Sequence, residues 1–568
     1  MDRVELDPAY QYVALKERDI RLIEYHSLHC SGRLTNVSVD HVPEYYAFSY
    51  CWGQENCKHL IELEYGTVPV FTNLYQALQE IGERKMLGRF WADGLCIDQD
   101  NEHEKLKQIP LMKEIYSRAA KTIVWLGQVS DDVRMAICLM PFVLGKLLGS
   151  SERVDFDECA IRKWFSLEPF PIFWRGFREL ICHPWFRRLW TLQETVLASK
   201  IEIWCRGVWA SWDLLATLFK EVEDKTLDRI MVTAKMDFTA GMDSVRHIQV
   251  LRGHLPLGIK PHRLILAARQ REASNVQDYV YGLFGLLDKV IQNCISTNPT
   301  VKTREIFIQM AKAIINFEKN LILLKLTQSE QQMCCLPSWC PNFSSPSRSW
   351  EFSPGIFQSG LPNHQASTAL PQFEQGSNNL KVLGICIDRV AKVVKPGYPC
   401  KVYGGTFQAW EQTCFDCSKE AFPVKEAHLE THSRTLCADV LGTGEHCSLA
   451  YIQAYFAVRQ IGDPSNVSET EQESVFNKHF DYIRGLNNAC SNRCYLLTEQ
   501  RRIGLGPSHT EAGDLVCIIH NTDAPFILRK KNETDIYQLI GESFVHGVMY
   551  REILSLIESY TEQAFIIS

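Results

Sequence analysis

No stretch of this 568-residue chain is apolar for long enough to cross a bilayer. The longest apolar run, MAICLMPFVLGKLLG at 135–149, is broken by Pro141 and Lys146. It is expected to form a buried helix, with Asp131 and Asp132 as candidate caps. The N-terminal segment MDRVELDPAYQYVALKERDIRLIEY has no apolar core of the kind an export signal needs. Long blocks of one charge sign are absent, and the formal net charge is −7. That balance offers nucleic acid no electrostatic footprint. Walker A, HExxH and GxSxG motifs are missing too, which removes the P-loop, the zincin site and the hydrolase elbow. The one glycine-rich candidate, GLGP at 504–507, does not sit between a strand and a helix and is expected to be a turn. Internal repeats and long low-complexity tracts are also absent.

What is present reads as an ordinary globular protein, with 46% hydrophobic and 22% charged residues. The length argues for two to three domains. The 21 cysteines are scattered rather than framed, which points to reduced, mostly buried thiols and a cytoplasmic location. One zinc pattern is visible. Cys414 and Cys417 form a CxxC, followed by His428 and His432 at helical spacing. Ten residues separate the pairs, fewer than the roughly twelve of the usual finger, and no second pair supports this one. The pattern is therefore read as a helical surface with two histidines, and two buried thiols, with no metal and no resident cofactor.

Residues 1–215 alternate strand-like and helix-like segments. IRLIEY (20–25), YYAFSY (45–50), RFWADGLCI (89–97), KTIVWLG (121–127) and KIEIWC (200–205) read as strands. TNLYQALQEIGE, with Thr72 or Asn73 as cap, and PLMKEIYSRAA (110–120) read as helices. This alternation predicts an α/β fold with a mainly parallel sheet flanked by helices. Residues 216–330 read as a helical region. A Pro/Ser-rich break at 336–355 lies within a mixed α+β region spanning 331–568, where 380–394 reads as strand and 404–485 as mainly helical.

In such sheets ligands bind beyond the carboxyl ends of the strands. The residues at that edge are Ser49, Tyr50, Cys51, Trp52 and Gly53 after one strand, and Asp98, Gln99 and Asp100 after another. Packing by Trp52 and turn-capping by Asp98 are the structural alternatives. A second candidate lies in HPWFRRLWTLQETVLA (183–198). Read as one helix opened by Pro184, it places Trp185, Leu189, Leu192 and Val196 on a stripe that widens through Phe186 and Leu197 to Trp190. Glu194 then falls at the edge of the apolar arc with Arg187 beside it, and Gln193 falls inside. The carboxylate would either line a pocket mouth or pair with Arg187 or Arg188 at the surface. Gln193 would need a hydrogen-bond partner.

YYAFSYCWG (45–53), FWADGLCIDQDNEHEKLKQIPLMKEIYSRAAKTIVWLG (90–127) and HPWFRRLWTLQETVLA resemble the motifs of fungal heterokaryon-incompatibility (HET) domain proteins. NVQDYVYGLFGLL (275–287), LPSWCPNF (336–343) and the C-terminal YQLIGESFVHGVMYREI add to the likeness. The core would span about residues 45 to 200. The family often has Asn-Gln where this chain has Asp98-Gln99, and Arg where it has Lys105.

The resemblance implies a part in non-self recognition after cell fusion, ending in growth arrest or programmed cell death through protein contacts or assembly. The expected partners are an incompatible allelic product or a second copy of the chain. HET domains are similar to TIR domains, with a flavodoxin-like sheet, and some TIR domains hydrolyse NAD. Their catalytic glutamate follows a tryptophan by four residues, a pattern that here matches Trp190 and Glu194. On that likeness NAD would be a substrate, cleaved with Glu194 as the catalytic carboxylate. Ser49, Tyr50, Trp52, Gly53 and Asp98 would border its pocket, with Trp190 for stacking and Arg187 or Arg188 for the pyrophosphate.

Overall fold

The computed structural model describes residues 9–26, 31–53, 58–149, 170–224, 239–327, 336–345, 370–395, 410–414, 425–440, 450–461, 478–531, 534–550 and 559–568, together with 468, 474–475 and 552. They form two compact units, Met1–Thr303 and Arg304–Ser568.

The first unit is built on a nine-stranded sheet. Its strands are β1 (Asp19–His26), β2 (Ser31–Ser38), β3 (Tyr46–Tyr50), β4 (Lys58–Leu63), β5 (Gly66–Phe71), β6 (Arg89–Trp91), β7 (Lys121–Trp125), β8 (Ile201–Cys205) and β9 (Val208–Ser211). They lie in the order β5-β4-β2-β1-β6-β3-β7-β8-β9. The centre, β6-β3-β7-β8, is parallel, as the alternation of strands and helices predicts. Strands β3 and β7 are near-continuous apolar runs, because a parallel strand is covered on both faces.

The expectation of a mainly parallel sheet is corrected on both flanks. Pairs β1–β2, β1–β6, β4–β5 and β8–β9 are antiparallel, and only β2–β4 adds a parallel pair outside the centre. The cause lies in the connections. Two residues separate β4 from β5, and two separate β8 from β9. A parallel pairing needs a crossover of about a dozen residues, so hairpins form instead.

Helix α1 (Thr72–Glu83) buries Leu74, Ala77, Leu78 and Ile81, the stripe its spacing predicts. Neither proposed cap serves it. Phe71 holds the N-cap position, and Asn73 donates through Nδ2 to the Cys51 carbonyl at 2.7 Å. The strand predicted over 89–97 stops at Trp91 and gives way to a one-turn helix, α2 (Asp93–Cys96). Helices α3 (Glu102–Gln108) and α4 (Met112–Arg118) follow, so the helix predicted from 110 begins two residues later and the polar loop before it is partly helical.

The apolar run becomes α5 (Asp131–Gly149), with Pro141 inside it. Its cap is Ser130, whose Oγ accepts from the Val133 N–H at 3.3 Å. Asp131 and Asp132 sit instead in the first turn, where the helix dipole favours acid. Only one side of this helix is buried. Val133, Ala136, Ile137 and Met140 are covered, while Met135 and Phe142 are exposed. Seven further helices among the described residues pack in this unit: α6 (Phe170–Ile181), α7 (Thr191–Val196), α8 (Trp212–Asp224), α9 (Thr239–His254), α10 (Pro261–Arg269), α11 (Asp278–Tyr281) and α12 (Lys289–Gln292).

The second unit contains strands β10 (Gln372–Phe373), β11 (Leu380–Val394), β12 (Arg493–Thr498), β13 (Ile503–Pro507), β14 (Leu515–Ile519), β15 (Phe526–Lys530), β16 (Ile536–Glu542), β17 (Phe544–Val545) and β18 (Glu562–Ile567). The 15-residue β11 is shared between neighbours. It pairs with β18 near its start, with β14 in the middle and with β12 at its end. Pairings β14–β15, β15–β16 and β16–β18 then close a ring of five strands, which removes the exposed edges an open sheet would carry. Ile385, Ile387, Val516, Ile518 and Ile527 pack together as one of its cores. GLGP at 504–507 is not a turn. It lies in β13, where Gly504 lets the backbone come close to the Phe544 carbonyl, 2.2 Å from where a Cβ would stand. Helices Lys425–Leu436, Ala450–Ile461 and Phe480–Cys490 pack in this unit. No helix among the described residues is long and apolar enough to cross a membrane.

Candidate functional site

The segment 183–198 is not one helix. His183 opens a short 3-10 turn over Pro184–Arg187, accepting from the Trp185 N–H at 3.2 Å. Arg188 then turns extended, with ψ 136°. Its neighbours bond a distant strand-like residue: Leu189 N–H donates to the Glu272 carbonyl at 2.9 Å, and Glu272 N–H donates to the Arg187 carbonyl at 2.6 Å. The helix α7 starts only afterwards. Arg271 fixes the break. Its buried guanidinium donates to the carbonyls of Phe186 (2.9 Å), Arg188 (3.3 Å) and Ser244 (3.2 Å) and to Thr191 Oγ1 (3.1 Å). Four acceptors held by one cation set the angle between the 3-10 turn and α7.

That angle turns Glu194 inward, so the edge position expected from helical spacing is corrected. Glu194 is 8% exposed and accepts a hydrogen bond from Ser49 Oγ, at the carboxyl end of β3. Ser49 Oγ in turn accepts from Trp185 Nε1 at 2.8 Å. Burial pushes the Glu194 carboxyl up to about 7, with the Asp93 charge adding to the rise, while Arg188 and the Ser49 hydroxyl oppose it. At neutral pH this group is divided between acid and carboxylate, a state suited to proton transfer or to stabilising a nearby positive charge.

Arg188 is the cation of this cluster. Its guanidinium donates to the Tyr50 carbonyl. Burial works against its charge, but Glu194, Cys51, Asp93 and Tyr50 outweigh that cost, and its value is raised. Asp93 opens α2 beyond the end of β6. It accepts from Trp52 Nε1 at 2.8 Å and from the Gly94 N–H at 2.7 Å. Tyr50 completes the group: burial and Asp93 hold its hydroxyl well above the ordinary tyrosine range, and it accepts from Gly94 N–H at 3.3 Å. Cys51 is pushed up to about 11 by burial, which keeps it a thiol.

Five of the expected residues therefore meet in one place: Ser49, Tyr50, Trp52, Trp190 and Glu194. Trp190 borders it, donating through Nε1 to Asp278 Oδ2 at 2.9 Å, and burial raises Asp278 to about 6. Three others have different engagements. Asp98 caps its own loop, accepting from Asp100 N–H at 3.2 Å, while its own N–H donates to Glu104 at 2.8 Å. Gly53 is exposed in the left-handed region, at φ 89°. Arg187 forms a loose, exposed pair with Glu272 at 3.7 Å. Gln193 is fully buried as expected, and its Oε1 accepts from Gly285 N–H at 3.3 Å.

Asp93 and Asp278 were missed by sequence reasoning. The strand-end rule that selects Ser49 selects Asp93 equally once the strand is seen to stop at Trp91. Nothing local marks Asp278, which lies 88 positions from Trp190.

Of the four residues in the CxxC and paired-histidine pattern, Cys414 and His432 have described side chains, and both are buried. His432 is fully buried, with Nδ1 2.9 Å from the Tyr495 hydroxyl, and burial lowers it to about 3. Cys417 and the His428 side chain lie outside the described residues. No cluster of three or more His, Cys, Asp or Glu arranged for a metal occurs among the described residues.

Residues 45–194 match the family model for heterokaryon incompatibility protein (HET), and residues 452–565 match that of the Het-6 beta-barrel domain. The chain is similar to "Heterokaryon incompatibility protein 6, OR allele" of Neurospora crassa, at 24% identity over 97% of each chain. It is also similar to "Vegetative incompatibility protein HET-E-1" of Podospora anserina, at 25% identity over 35% of this chain and 11% of that one. No solved structure matches.

Proposed function

Because this chain belongs to the HET-domain proteins, we propose that it serves in fungal incompatibility, where a non-self encounter after cell fusion is answered by growth arrest or cell death. The observation that carries this reading is the similarity along 97% of both chains to an incompatibility protein, which includes the barrel unit as well as the HET domain. In this reading recognition works through protein contacts, with an incompatible allelic product or a second copy of the chain, in the cytoplasm. The test is forced expression of the full chain in fungal strains of differing genotype, scored for growth. Arrest confined to particular strains supports the proposal. Uniform growth in every strain, with the protein present, overturns it.

The geometry favours a second reading of the output, NAD hydrolysis by a TIR-like site. Its support is the buried Glu194, divided between its two protonation states near neutral pH, beside Ser49 and Arg188. The nicotinamide of NAD is cationic and departs to leave positive charge on the ribose. A carboxylate at Glu194 would stabilise that charge, Arg188 would attract the pyrophosphate, and Trp52 or Trp190 would offer a ring for stacking. Incubating the full chain with NAD beside a Glu194→Gln variant, and measuring free nicotinamide, decides the matter. Equal release by the two proteins removes Glu194 from the chemistry. No release by either, with arrest persisting in cells, leaves protein contact as the output.

A further inference from the structure

Cys386 on β11 and Cys517 on β14 are direct partners in the antiparallel register. Residues so paired have Cα atoms about 4.5 or 5.5 Å apart. Both values fall within the span a disulfide bridges, about 4.4–6.8 Å, without moving either strand. The seam is tight here. Two residues along β11, a Cβ on Gly384 would stand 2.4 Å from the Ile518 carbonyl oxygen. Directly opposed residues also present their side chains on the same face of the sheet, so the two thiols stand side by side. Both are free cysteines. Among the described strands no other register sets two thiols opposite. Cys494 faces Gly506 and Cys205 faces Val208.

The two sulfurs are unequal. Cys386 is half-buried, whereas Cys517 is fully buried. The hydrogen bond from Cys517 lowers Cys386 below the ordinary thiol range, and burial holds Cys517 well above it. The more accessible sulfur is thus also the better thiolate, and the covered one stands behind it as a resolving partner.

We propose that Cys386 and Cys517 form a reversible redox-modification site, which closes to a cross-strand disulfide under peroxide and reopens with a small thiol. The Cys386 thiolate attacks one peroxide oxygen. An S–O bond forms, the O–O bond breaks, and the departing hydroxide takes up a proton to leave as water. The Cys517 sulfur then attacks the Cys386 sulfenic acid. An S–S bond forms, the S–O bond breaks, and the thiol proton leaves with the hydroxide as a second water. Two thiols lose two electrons, and one peroxide becomes two waters. Reversal needs two small-thiol molecules, which leave as their own disulfide.

The test uses the full chain, treated with hydrogen peroxide and alkylated before unfolding. Trypsin cuts after Lys381, Arg389, Arg502 and Arg529, so each relevant peptide holds one cysteine. The expected result is a linked pair of these peptides, two hydrogens lighter than their sum, that is lost on treatment with dithiothreitol. Cys386→Ser should abolish the link. Cys517→Ser should leave Cys386 as a sulfenic acid that dimedone captures, and Cys494→Ser should change nothing. The proposal is overturned if wild-type Cys386 stays reduced, over-oxidises without linking, or links to a different cysteine.

Discussion

Ser49 on β3 donates its hydroxyl hydrogen to Glu194 on α7, 145 positions away in the chain, while its oxygen accepts from Trp185 Nε1. One small side chain thus serves a carboxyl and an indole at once. Ser49→Ala removes the hydrogen bond that favours the ionised carboxyl, so Glu194 should titrate above its present value near 7. It also leaves the Trp185 N–H without its acceptor, at a cost of about 1–3 kcal/mol. Carboxyl infrared bands, referenced to Glu194→Gln, and denaturant unfolding read the two effects. Unchanged values in both would show that the contact carries neither.

Glu194→Gln should alter how stability depends on pH. The folded-state value of Glu194 is raised from 4.5 to about 7. Between those values the folded chain holds a proton that the unfolded chain has released. This contribution is present in full below about 4.5 and is lost as pH rises through about 7, to the extent of roughly 3 kcal/mol. Asp278, raised to about 6, acts in the same direction. His183 and His247, each lowered to about 4, act oppositely. The difference between wild type and variant isolates Glu194: the variant should gain relative stability from pH 5 to pH 8. A flat difference curve would contradict the burial assigned to this carboxyl.

Two arginines near the same turn should behave very differently. Arg187 is exposed and loosely paired, so Arg187→Ala should cost less than about 1 kcal/mol. Arg271→Met strips partners from three carbonyls and a hydroxyl in a buried place, and should cost at least about 3 kcal/mol. Chemical denaturation of the pair, side by side, checks the contrast. Similar losses would mean that Arg271 does not hold the turn.

Gly94→Ala should disturb the site through crowding alone. A Cβ there would lie 2.6 Å from the Tyr50 hydroxyl, closer than real contacts allow. Tyr50 must shift or the one-turn helix must move, at about 1–3 kcal/mol. Loss of the Tyr50–Asp93 contact should appear as a lowered tyrosine pKa in ultraviolet titration. An alanine variant with wild-type stability and titration would refute this.

The parallel centre of the first unit and the stripe of α1 were legible because each depends on local pattern. YAFSY and KTIVW are apolar on both faces, which suits strands covered on both sides. Glu194 was legible as a position, four residues after Trp190, but not as a buried group. Helical spacing assumes a constant rotation per residue, and Arg188 breaks it. The residues that enforce that break, Arg271 and Glu272, lie more than 80 positions downstream. The flanking strands β2, β4 and β5 also escaped. SGRLTNVS has no strict apolar alternation, and its pairing is set by its neighbour β1.

The family match stops at Glu194, in the middle of α7. Yet Arg252 donates to the Thr195 and Ala198 carbonyls at the end of that helix, Asp278 holds Trp190, and Gly285 meets Gln193. The stretch matched by the family and the stretch that packs around this helix are therefore different lengths. A recombinant fragment cut at 194 would carry its acid on a helix without an end, beside an indole without a partner. A fragment carried through Thr303 would include every one of these supports.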